Sequence, residues 1–211
     1  MPALPPNYQE VFFLPCAPRL GRLSVFIWLG VLAAFWLFSL YFTWVYDRFT
    51  LLQRSAFNLS TVSLLIALLS AGLLHEIAHA LCMRGLGAPP TLGGRGAGGA
   101  TLGERRPFAS LTLAAWSPDY AFTRNQYALV TLAPLVALTF LATLGIGLWA
   151  ASATVVGWLM AMGIANGIFS ATDIELCWLL ARQPQPAYVV DQLDGLHVYA
   201  PEAKQYSSLE S

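Results

Sequence analysis

The chain has 211 residues, 57% of them hydrophobic and 10% charged, with zero formal net charge and a mean hydropathy of +0.60. Soluble domains carry about 25% charged residues, so this composition excludes an ordinary soluble domain and indicates an integral membrane protein of one compact membrane domain. The charge balance gives no reason to expect nucleic acid as a partner, and the three cysteines (Cys16, Cys82 and Cys177) form no C-x-x-C pair and imply no disulfide framework.

Residues 1–22 are Pro-rich and read as a cytoplasmic or interfacial arm ending in Arg19 and Arg22. They lack the basic start of a signal peptide. The apolar run over about 23–46 is long enough to cross ~30 Å of hydrocarbon, and its tryptophans and tyrosines include candidates for an interfacial belt. A short loop holding Asp47, Arg48 and Arg54 leads to a second span, about 59–83, with Asn58 or Ser60 as its cap. Residues 85–126 change character. Pro89-Pro90 and the glycines from Gly93 to Gly99 read as a flexible loop, since no Gly-Lys-Ser/Thr ending follows to make a phosphate loop. Phe108–Trp116 reads as a short strand or a re-entrant piece. A third span covers about 127–150, with Pro134 expected to kink it, and a fourth covers about 154–181. Pro184 and Pro186 end that helix, and β-formers on either side of Asp194-Gly195 predict a small hairpin. The expected fold is therefore an all-α integral membrane protein with about four transmembrane helices, a Gly/Pro-rich loop and a hairpin-like tail. It divides into an arm (1–22), a membrane domain (23–181) and a cytoplasmic tail (182–211).

Arg19, Arg22, Arg84, Arg95, Arg105, Arg106, Arg124, Arg182 and Lys204 fall on one side of such a four-span chain, and only Arg48 and Arg54 on the other. The excess predicts both termini in the cytoplasm. Abundant Ala and Leu, and Arg in excess of Lys, suggest a bacterial source and hence the inner membrane.

The chemistry concentrates in the second span, where His75-Glu76-Ile77-Ala78-His79 interrupts an apolar run. On a helix, residues four apart share a face. Two imidazoles so placed can share one zinc ion, and the intervening Glu76 lies close enough to act as a base toward water there. Ionisable groups in hydrocarbon cost free energy unless they are partnered, so they mark a functional site. Without a metal, the same residues could serve as a polar helix-packing contact.

Catalytic zinc takes three protein ligands and keeps one position open. Asp173 is the first choice for the third, because a carboxylate in an apolar span needs a partner. Asp194 is the alternative, with Glu175 behind it, although Asp194-Gly195 is also an ordinary hairpin turn. Asn166, Ser170 and Asp173 line one face of the fourth span. Cys177 could share that face as packing, and His197 reads as an exposed strand residue.

These blocks resemble a bacterial membrane family of zincin peptidases, and are more distantly similar to the site-2 class of intramembrane metalloproteases. The resemblance covers about residues 60–200. It rests on His75–Ala80, on Ser117–Tyr120 through Arg124–Tyr127 and Leu132–Leu135, on Asn166–Asp173, and on Val189–Asp191 with Gly195–Tyr199. Thr172-Asp173 stands where the family often has Gly-Asp, and the Asn-Pro-x-x-Asp-Gly helix motif of site-2 proteases is missing. The resemblance implies a peptidase holding one Zn2+ per chain on His75, His79 and Asp173, with Glu76 as general base. Asn166 is a candidate for binding substrate backbone or the developing oxyanion, with helix packing as the equal alternative. Expected partners are the lipid bilayer and a membrane-embedded or membrane-associated protein substrate, with no nucleic acid. An unfolded substrate strand could add to the edge of Phe108–Trp116. The competing class is a non-catalytic membrane module that binds metal or partner helices and has no need of Glu76. Metal transport would string polar groups across the whole membrane depth, whereas here they cluster toward one side.

Overall fold

A computed structural model of the chain describes residues 2, 4–15, 22–49, 60–94, 113–192 and 195–201. Four helices dominate it: α1 (Arg22–Phe49), α2 (Thr61–Gly85), α3 (Arg124–Leu148) and α4 (Ala153–Ala181). Each contains a stretch long and apolar enough to cross a membrane. Leu69, Trp36, Val136 and Phe140 are among the many large apolar side chains they leave exposed. Such an outer surface suits hydrocarbon and would be an anomaly in water.

Local chemistry sets the helix boundaries. The Ser60 hydroxyl accepts the Ser63 N–H and caps α2. At α3 the Thr123 hydroxyl accepts the Gln126 N–H while the Gln126 side chain accepts the Thr123 N–H, a reciprocal capping box. That pairing starts the helix three residues before the expected Tyr127. At the far end of α2, Gly87 adopts φ +84°, the Gly87 N–H returns to the Arg84 carbonyl, and the Ala88 N–H returns to that of Met83. This Schellman turn stops the helix and sends the chain back along it.

The expectation of an all-α protein needs correction, because two small sheets accompany the helices. Strands β1 (Tyr8–Pro15), β4 (Ala121–Thr123), β5 (Tyr188–Asp191) and β6 (Gly195–Pro201) form an antiparallel sheet in the order β1-β6-β5-β4. Strands β2 (Thr91–Gly94) and β3 (Leu113–Trp116) form a separate pair. The expected C-terminal hairpin is β5–β6. Within the N-terminal arm, by contrast, Tyr8–Pro15 is a strand, because β6 supplies it with a partner from the other end of the chain; residues 16–21 of the arm lie outside the described residues. The glycine stretch begins as β2, while residues 95–112, including most of that cluster, lie outside the described residues.

The four-stranded sheet closes one end of the bundle. Phe122, Val189 and Val198 are fully buried against Met83 of α2, Tyr127 and Val130 of α3 and Leu180 of α4. Each such side chain contributes about 1.5–3 kcal/mol relative to exposure in water. At the other end Phe42, Val45, Ile146, Val156 and Met162 make a second cluster. In and beside this cluster α1 lies close against α4, where Gly163 and Gly167 leave room for the rings of Phe42 and Phe38. Small residues at a helix crossing let long side chains of the neighbour seat fully.

Candidate metal centre

His75 and His79 are both buried on the inner face of α2, about 9–15 Å from the sheet-capped helix end at 1.5 Å per residue. Asp173 comes from the same end of α4. The His75 Nε2 lies 3.1 Å from Asp173 Oδ2, the His79 Nε2 lies 3.6 Å from it, and the two Nε2 atoms are 3.2 Å apart. Among the described residues these three make a group whose ligand atoms all lie within 4.8 Å of one another. The structure thus brings together the first-choice ligand set. Glu175 is outside this group, and Asp194 lies outside the described residues.

The far side of each ring fixes the near side. The Nδ1 of His79 is 2.8 Å from the Val130 carbonyl, which can only accept, so that nitrogen carries the hydrogen. The Nδ1 of His75 is 3.0 Å from Asn166 Oδ1. Asn166 Nδ2 donates to the Pro134 carbonyl at 3.1 Å, which leaves its oxygen turned to His75. With both Nδ1 hydrogens committed, neutral rings present bare lone pairs at Nε2. Two lone pairs and a carboxylate oxygen then face one another, and Asp173 Oδ2 is buried with no hydrogen-bond donor. Three electron-rich atoms so placed repel unless a cation lies between them.

Zinc fits that arrangement. Bonds of about 2.05 Å in a tetrahedron put neighbouring ligand atoms about 3.3 Å apart, and the three separations of 3.1, 3.2 and 3.6 Å bracket that value. The donor set, two imidazoles and a carboxylate, is one that zinc accepts.

Glu76 sits beside the group rather than in it. Its Oε2 accepts the Ala115 N–H at 2.8 Å, which holds β3 against α2. Ala115 pairs with Leu92 of β2, and in an antiparallel ladder a residue whose N–H leaves the pair turns its carbonyl the same way. The outer edge of β3 therefore faces the helix that carries His75, Glu76 and His79.

Asn166 is fully buried and its side chain is engaged with His75 and Pro134. Sequence reasoning offered it as a substrate or oxyanion contact. In this structure it orients a histidine, and its burial sets the amide facing protein at both ends. Cys177 lies 2.7 Å from the Thr131 hydroxyl and is not part of the ligand group. His197, expected to be exposed, is half-buried in β6, with Nδ1 3.0 Å from Glu10 Oε2. The contacts that sequence reasoning missed are backbone ones: the Val130 and Pro134 carbonyls and the Ala115 amide. Only Pro134 left a mark in the sequence.

The family described as "Putative zincin peptidase" matches residues 68–188, more than half of the chain. The matched range takes in α2 from Leu68, β3, all of α3 and α4, and with them every residue of the site above. No curated protein and no solved structure matches the chain.

Proposed function

We propose that this chain, which belongs to the zincin peptidase family, is a zinc-dependent endopeptidase acting on membrane-embedded or membrane-associated proteins. The observation that carries the reading is the convergence of His75 Nε2, His79 Nε2 and Asp173 Oδ2 at tetrahedral spacing, beside a carboxylate bonded to a strand edge. One zinc ion held by these three would polarise the scissile carbonyl and lower the pKa of water toward neutrality. Glu76, next to His75 on α2, takes the proton from the attacking water and returns it to the leaving amine. With its N–H held by Glu76, the outer edge of β3 offers the Ala115 carbonyl to an extended peptide, which would lie across the helix that carries Glu76. A helical substrate must unwind to bind there, so cleavage favours helix-breaking residues near the cut.

Four apolar helices support action within the bilayer or at its surface. Arg182 stacks over Trp178 at 3.5 Å, near the end of α4 that carries Asp173. An exposed Trp–Arg pair suits a membrane interface, which supports a site lying a short way below it. The positive-charge excess puts that side, and both termini, in the cytoplasm, in keeping with a bacterial inner-membrane protein.

The test is elemental analysis of purified wild type beside His79→Ala and Asp173→Ala. About one zinc per chain, lost in both variants, supports the site and its third ligand. Zinc lost only in His79→Ala moves the third ligand to Asp194 or Glu175, and metal-free wild type overturns the enzyme reading.

A further inference from the structure

α3 runs unbroken from Arg124 to Leu148 although Pro134 lies inside it. Proline has no N–H, so the carbonyl four residues earlier loses its helical donor, and the pyrrolidine ring pushes that carbonyl away from the helix axis. The residue four earlier is Val130, whose carbonyl accepts the His79 Nδ1–H at 2.8 Å. Val130 itself is buried, so no solvent could otherwise satisfy this oxygen.

We infer that Pro134 is a positioning residue of the metal centre: by vacating the Val130 carbonyl it provides the acceptor that fixes the tautomer and ring orientation of His79. The inference rests on the metal-site reading above. Its counterpart on the other histidine does not need proline. Asn166 bonds the carbonyl of residue 134, which any amino acid supplies, and passes the constraint to His75 through its own oxygen. One short segment of α3 thus orients both rings by two different devices, and only one of them depends on the missing N–H. Hydrogen-bond partners on the far side of a metal-bound histidine fix its tautomer and raise its basicity, and losing one weakens metal affinity by about 10–100-fold.

The asymmetry gives a test that a simple helix-bending role would fail. The variants are Pro134→Ala and Asn166→Leu, purified in detergent with ring-15N-labelled histidine. In metal-free wild type both His75 and His79 should show the Nδ1–H tautomer. In Pro134→Ala the N–H restored at position 134 reclaims the Val130 carbonyl. His79 should then move to a mixture of tautomers while His75 stays as it was, and zinc affinity by chelator competition should fall about 10–100-fold. Asn166→Leu should do the reverse, releasing His75 and leaving His79. Thermal stability of metal-free Pro134→Ala should not fall, since Ala is the better helix former. An unchanged His79 tautomer with unchanged zinc affinity in Pro134→Ala overturns the inference, as does an Nε2–H tautomer for His79 in wild type. The wild-type measurement decides even where the variant does not fold. If wild type bound no zinc while the tautomers responded as stated, the metal reading would fail, and with it the role at a metal centre, while the orienting of His79 by the Val130 carbonyl that Pro134 vacates would stand.

Discussion

Replacing Glu76 by glutamine separates the chemistry of this carboxylate from its structural bond. The Glu76 Oε2 accepts the Ala115 N–H at 2.8 Å, and an amide oxygen can accept the same hydrogen. A hydrogen bond to a charged group contributes about 1.5–3 kcal/mol, and a neutral one about 0.5–1.5. Glu76→Gln should therefore weaken the tether of β3 by about 1 kcal/mol, and amide exchange at Ala115 should quicken only about fivefold. Glu76→Ala removes the whole bond, so exchange there should quicken about 10–150-fold. The metal ligands are untouched in both, and zinc content should stay at wild-type level. Loss of a general base costs about 10²–10⁴ in rate, or about 2.7–5.4 kcal/mol of barrier. The assay is hydrolysis of an unfolded protein substrate by zinc-loaded enzyme in detergent, read alongside zinc content and hydrogen exchange. Glu76→Gln with near wild-type turnover would refute the base assignment. Zinc loss in the same variant would mean that the carboxylate is a ligand and that the grouping described above is wrong. A non-catalytic metal-binding module would keep its function in Glu76→Gln.

Three further substitutions probe the scaffold. Gly163→Ala drives a methyl group into the Phe42 ring. Overpacking costs about 1–3 kcal/mol against a gain of about 1 in helix propensity, so thermal unfolding in detergent should show a net loss of up to about 2 kcal/mol, partly relieved by Phe42→Leu. Gly87→Ala forces a side chain into a left-handed conformation at φ +84° and should lower stability by about 1–2 kcal/mol, with faster exchange in β2 and β3. Tyr127→Phe removes the donor at 2.9 Å from buried Asp191. It should cost about 1.5–3 kcal/mol in an unfolding measurement and leave zinc content unchanged.

The four helices were legible because hydrocarbon-length apolar runs leave few alternatives. Their ends were less so: α1 continues to Phe49, past the expected Tyr46, with Arg48 over the Trp44 ring at 5.6 Å. The early start of α3 was readable in principle from Thr123 and Gln126, three residues apart. Strand β1 was not. Its pairing is with β6, and a sequence read in local windows carries no sign of a partner at the opposite end. In the site, His75, Glu76 and His79 announced themselves by spacing, and Asp173 by its cost in an apolar span. For Asn166 the sequence leaves substrate binding and helix packing equally open, because the same amide serves either, and the structure shows it engaged by His75 and the Pro134 carbonyl. The acceptor for His79 is the Val130 carbonyl of α3, and that for His75 is Asn166 of α4, itself held by the Pro134 carbonyl; no residue type reveals these two backbone atoms.

The pairing of β1 with β6 also has a bearing on how the protein is made. Glu10 and His197, joined across those strands, are 187 residues apart. At about 5–20 residues per second of synthesis, the first strand waits roughly 10–40 s for its partner to leave the ribosome. Asp173 lies on the last helix, so a nascent chain that has already placed His75 and His79 still lacks its third ligand. The centre, and the sheet that closes the bundle around it, can be completed only when nearly the whole chain has emerged. A truncated translation product would therefore carry the histidines and Glu76 without Asp173; on the peptidase reading proposed above, it would lack the complete metal centre, a safeguard against an unfinished enzyme attacking its neighbours.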